Sequence, residues 1–156
     1  MDSDNLKKFK DKRNTFINYC LVNDKRIEYK KLYACKDKKL EAVLIELRLL
    51  PHLSFIIKNA IYRLGFNWSF TIICGNNNYE FIKKIISKIQ GYIRIIKLDK
   101  TNLTREEYSI MLLNSKFWKQ FYGEKILIYQ EDSIIFKKLD PKFLKYDFIG
   151  APFSNK

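Results

Sequence analysis

Gln130, Glu131, Asp132 and Ser133 stand together directly after the aliphatic run KILIY. Carboxylates at the end of an apolar strand sit beside a dry layer, where a cation neutralises them most readily. Mg²⁺ or Mn²⁺ held by one or two carboxylates plus phosphate oxygens is the common arrangement. Away from a strand end, the same acidic pair is a solvated turn. Glu46 and Arg48 flank Leu47 after the run LEAVLI, and strand periodicity puts both on one face. Either they form a surface ion pair worth about 0–1 kcal/mol, or a polar group reads a base or ribose while the guanidinium meets a phosphate. Gly75, followed by Asn76, Asn77 and Asn78, has the chemistry of a strand-to-helix turn. Tyr108 either stacks on a base or belongs to the core.

The elements that position these residues read clearly from Leu40 onward. LEAVLIELR (40–48), WSFTIICG (68–75), IRIIKL (93–98) and KILIYQ (125–130) are short apolar runs suited to buried strands. Between them lie helical patterns. One opens after Pro51 and carries Leu53, Ile56, Ile57, Ala60, Ile61 and Leu64, with Gly65 where a left-handed cap is expected. A second covers 79–90, and a third starts at Thr104, whose spacing to Glu107 is that of a capping box, and runs to about Phe121. Strand and helix alternate four times with short connections. The expected fold is therefore α/β: a Rossmann-like, mostly parallel sheet with helices on both faces. Ligands of such sheets bind outside the carboxyl ends of the strands. Those ends are 46–48, 74–78, 98–102 and 130–133, where nearly all the polar interruptions fall.

Residues 1–39 differ, with 12 basic and 6 acidic side chains and few aliphatics. They read as a charged N-terminal extension with a helix over 5–22, next to a domain formed by 40–156. Apolar residues make up 47% of the 156, enough for a core, which excludes a disordered chain. No apolar run approaches the length of a bilayer span, and residues 1–5 do not begin a secretory signal. With three unpatterned cysteines, the expected setting is a reducing cytoplasm. One histidine, His52, leaves no His cluster for zinc or a His-based relay. Neither GxGxxG, GxxxxGK[ST] nor GxSxG occurs, which argues against NAD(P) dehydrogenases, P-loop NTPases and α/β-hydrolases. The net charge of +13 suggests a polyanionic partner. However, 24 Lys against 6 Arg, with 21 Ile, 12 Asn and 4 Ala, has the look of AT-rich coding bias, so nucleic acid is the less favoured partner. A basic module binding nucleic acid or another polyanion remains the alternative.

The ordered set AVLIELR (42–48), PHLSFIIKNAIYRLG (51–65), LTREEYSIMLLNSKFW (103–118), KILIYQEDSIIF (125–136) and YDFIGAPF (146–153) resembles a family of GT-A-type glycosyltransferases. The resemblance runs from about Leu40 to Phe153. It implies a site for a nucleotide-diphosphate-sugar, a UDP- or GDP-sugar, with a glycan or protein as acceptor. Gln130, Glu131 and Asp132 fall in the frame of the Asp-x-Asp motif that holds Mn²⁺ or Mg²⁺ on the donor diphosphate. Gln130 replaces the first Asp, so Asp132 becomes the expected metal ligand, while Glu131 either reaches the ion or points to solvent. Glu46, Arg48, Gly75, Tyr108 and Gln130 are the residues expected around the donor. The family's later Gly-Asn-Gly-Gly-Phe-Ser segment and Glu-Asp motif have no counterpart in the 156 residues. The resemblance therefore implies the donor-binding half, with no catalytic residue assigned and transfer activity dependent on a longer protein.

Overall fold

The computed structural model describes residues 3–150. In chain order the helices are α1 (Ser3–Asp24), α2 (Leu53–Leu64), α3 (Tyr79–Ile86), α4 (Arg105–Leu113) and α5 (Ser115–Trp118). The strands are β1 (Tyr33–Ala34), β2 (Leu40–Ile45), β3 (Trp68–Cys74), β4 (Gln90–Gly91), β5 (Arg94–Lys97) and β6 (Lys125–Tyr129). A short 3₁₀ turn follows at Pro141–Lys145. The main sheet has the order β5-β3-β2-β6, and every neighbouring pair is parallel. Parallel strands need crossovers, and α2, α3 and the α4–α5 segment supply them.

Both faces of this sheet are covered, which is why its strands read as unbroken apolar runs. Alternation along β2 sends Ala42 and Leu44 to one face and Val43 and Ile45 to the other. On the first face they meet α2, α3 and Cys20 of α1; on the second they meet Phe117, Tyr108, Met111 and Leu112. The fold is α/β and Rossmann-like.

Residues 1–39 are more than an appendage. Cys20, Leu32 and Ala34 are fully buried in the same core as the sheet, and β1 pairs in parallel with β4 beside it. α1 lies along α2 in the same direction, with Phe16 edge-on to His52, Tyr19 edge-on to Phe55, and the buried Lys58 ammonium 3.1 Å from an Asp24 carboxylate oxygen. Its first turns, residues 5–12, are exposed throughout. Running parallel to α2, which starts at the carboxyl end of β2, they stand clear of the body on that side.

Three local expectations change. The helix expected from Thr104 to Phe121 breaks at Asn114, whose extended backbone separates α4 from α5 and whose side chain caps α5 by accepting the Lys116 N–H at 2.9 Å. Gly65 has a positive φ of 72°, but its ψ of −159° lies outside the left-handed helical basin. The helix expected over 79–90 ends at Ile86, and Gln90–Gly91 form β4 instead. Residues 151–153 of the Tyr-Asp-x-Ile-Gly-Ala-Pro motif lie outside the described residues. No described helix is long and apolar enough to cross a membrane.

Candidate functional site

Successive strands run outward from β2 to β3 to β5, and the chain then returns to lay β6 on the other side of β2. The carboxyl ends of β2 and β6 therefore flank the topological switch point, where loops depart in opposite directions and leave a crevice. A cavity of about 270 Å³ opens there, lined by residues 45–48, 102–105, Tyr108 and Gln130. An adjoining cavity of about 120 Å³ is lined by Ile45, Glu46, Arg48, Gln130, Glu131 and Asp132. Four residues are common to both linings, so the two cavities meet across Glu46, Arg48 and Gln130.

Glu46 and Arg48 are brought together as a closed pair. Glu46 is 6% exposed, and Arg48 donates to it through Nε (2.8 Å), Nη2 (2.7 Å) and its own backbone N–H (2.8 Å). Both oxygens of Glu46 are thus taken. The Glu46 hydrogen bond, against partial burial, pushes the Arg48 guanidinium further up from its usual range, so it is a permanent cation. Glu46 orients the guanidinium, and both of its oxygens are already engaged by Arg48.

Glu131 is turned inward, away from solvent. It is 5% exposed, and its Oε1 accepts from Arg13 at 2.8 Å and Arg48 at 3.2 Å. The Nε2 of His52 lies 2.8 Å from Glu131 Oε2 and 3.1 Å from the Glu131 carbonyl. Both are acceptors, so Nε2 carries the proton and donates. Burial alone would push the Glu131 carboxyl up. Hydrogen bonds from His52 and Arg13 and the Arg13 charge outweigh that and hold it at about 2, below an ordinary 4.5. A carboxylate surrounded by two guanidiniums and an imidazole N–H is a brace for the β6 loop, and both of its oxygens are engaged.

Asp132 is the reverse case. It is exposed and makes no hydrogen bond or ion pair within the described residues. It lies close enough to Tyr108 to raise that phenol: burial pushes Tyr108 up, a hydrogen bond with Gln130 pulls it down, and the Asp132 carboxylate pushes it up again. Tyr108, Gln130 and Asp132 thus form one run along the crevice. No cluster of three or more metal-ligating side chains occurs among the described residues.

Gly75 does not line either cavity. A Cβ there would run into the Lys100 carbonyl and sit 2.9 Å from Leu47 Cβ, so glycine serves close packing of the loops. Its N–H donates to Asn78 Oδ1 at 2.9 Å. Asn78, fully buried, is the positioning residue that sequence reasoning missed. Its amide donates to the carbonyls of Glu46 (2.8 Å) and Arg48 (3.0 Å), tying the end of β2 to the loop after β3. Three consecutive asparagines carry the signal of a turn without saying which one turns inward. His52, Arg13 and Arg105 were also missed: Arg105 lines the larger cavity from the start of α4, and His52 and Arg13 hold Glu131 from a helix start and a distant segment.

Residues 92–156, fewer than half of the chain, match a family described as "Protein of unknown function (DUF5672)". No curated protein and no solved structure matches the chain.

Proposed function

We propose that the crevice binds the nucleotide part of a nucleoside-diphosphate sugar and that the protein serves as the donor-binding part of a glycosyltransferase. The observation that carries this reading is a cavity of about 270 Å³ at the switch point, with Tyr108, Gln130 and two arginines along it, continuous with a cavity of about 120 Å³ that a free carboxylate, Asp132, lines. Phenol, amide and guanidinium are the groups that stack on a base and hydrogen-bond ribose and phosphate.

A divalent cation fits this donor set in one form. Asp132 is the only carboxylate of the crevice with uncommitted oxygens, so Mg²⁺ or Mn²⁺ would be held by Asp132 together with ligand phosphates and water. Bound there, the ion would neutralise charge on a leaving diphosphate. Tyr108, with its phenol neutral, offers an aromatic face and a donor. The acceptor is a glycan or a protein, and no residue of this chain is assigned the role of base. Three unpaired cysteines suit a reducing cytoplasm as the place of action.

The test is thermal unfolding with UDP or GDP plus Mn²⁺. A ligand at about 100 times its Kd stabilises by about 2.7 kcal/mol, which for a chain of this size raises Tm by about 5–11 °C. Asp132→Ala should lose most of that shift while leaving the Tm of the free protein unchanged. An unchanged curve with every common nucleoside diphosphate would remove the proposal.

One observation favours a second reading. The exposed start of α1 carries Lys7, Lys8, Lys10 and Lys12 clear of the body, a density that overall coding bias does not explain. A polyanion-binding module would hold any duplex with steep salt dependence and indifference to Asp132.

A further inference from the structure

The crevice holds two guanidiniums, and only one of them is free. Arg48 spends Nε and Nη2 on Glu46 and also reaches Glu131, so its charge is matched by carboxylates before any ligand arrives. Arg105 lines the larger cavity at the first position of α4, is exposed, and its guanidinium makes no hydrogen bond or ion pair within the described residues. The start of α4 contributes little else. Thr104 accepts from the Glu107 N–H at 3.1 Å and Glu107 accepts from the Thr104 N–H at 2.8 Å, so the capping box uses both groups internally. The Glu107 carboxylate is further engaged by the Lys100 ammonium and does not line the cavity.

With Glu46 and Arg48 cancelling, the α4 end of the crevice carries the unmatched positive charge of Arg105, and the opposite end carries the unmatched negative charge of Asp132. Asn102 and Gln130 supply neutral donors and acceptors in the larger cavity. A planar fork of N–H donors with no carboxylate partner is the complement of a phosphate oxygen pair.

We propose that Arg105 is the residue that grips a phosphate group of the bound nucleotide, the role that sequence position gives to Arg48. This rests on the reading of the crevice as a nucleoside-diphosphate site and adds where that ligand's anionic group is held. The phosphate lies in the larger cavity against α4, and Arg48 is a positioning residue that shapes the crevice wall. Arg105 is exposed and touches no structural partner, so replacing it leaves folding intact.

The experiment is calorimetric titration of the full chain and of Arg105→Gln and Arg105→Lys with UDP and GDP in the presence of Mg²⁺, and with uridine and guanosine. The expected result is that Arg105→Gln weakens diphosphate binding about tenfold or more, as loss of a charge-assisted pair does. Nucleoside binding should stay unchanged, and Arg105→Lys should recover part of the loss. Equal diphosphate affinity in Arg105→Gln and the parent overturns the assignment while leaving the nucleotide site standing. Equal losses for nucleoside and diphosphate also overturn it, since the guanidinium would then contact base or ribose. If the parent binds none of the four, the nucleotide site itself fails and the assignment falls with it.

Discussion

Glu131 shows how much a side chain's role depends on partners far away in sequence. Its neighbour Asp132 is one residue on, yet one is locked among Arg13, Arg48 and His52 while the other meets solvent. Breaking a buried ion pair costs about 3–5 kcal/mol; Arg13 and Arg48 are partly exposed, so Glu131→Gln should cost less, about 1–3 kcal/mol. The pH dependence has a definite sign. A carboxyl held at about 2 in the folded protein, against an ordinary 4.5, stabilises fully above 4.5 and loses that contribution as pH falls from 4.5 toward 2. Urea unfolding between pH 7 and pH 2 should therefore show a steeper acid loss in the parent than in Glu131→Gln. Parallel curves for the two would show that the brace contributes nothing.

At the scale of elements, β2, β3, β5 and β6 were legible because a parallel sheet covered on both faces demands continuous apolar runs. The capping box at Thr104 was legible for a local reason, since both its hydrogen bonds join residues three apart. What escaped was set by tertiary contact. Asn114 breaks the fourth helix although its flanks keep a helical pattern, and β1 and β4 are too short to leave a periodic trace. The site divided the same way. Position at the strand ends marked Glu46, Arg48, Gln130 and Asp132, but which carboxylates remain free follows from His52 and Arg13, whose approach depends on how α1 and α2 pack. Position at a strand end puts Gly75 among the residues expected around the donor; in the fold its lack of a side chain lets the β2 and β3 ends close up. Gly75→Ala should cost about 1–3 kcal/mol through overpacking. Denaturant titration should show that loss, with nucleotide affinity of the folded fraction unchanged; a weakened affinity at full stability would restore the glycine to the binding wall.

The molecule as a whole carries +13, and that field acts on encounter more than on fold. A nucleoside diphosphate should associate faster at low ionic strength, because the Debye length shrinks from about 30 Å at 0.01 M to about 8 Å at 0.15 M. Stopped-flow rates that ignore salt would show the crevice to be electrically isolated from the surface lysines. The strand order has a further consequence for how the crevice comes into being. β2 gains β3 as soon as the first crossover is complete, and β5 follows, but its other edge waits for β6. Until that last strand docks, Glu131 is absent from its cluster and the backbone edge of β2 lies bare. On a ribosome, a nascent chain that has released β2 and β3 but not yet β6 would expose that sticky sheet edge. The crevice would mature only once β6 has docked, and that interval is when a chaperone would find its substrate.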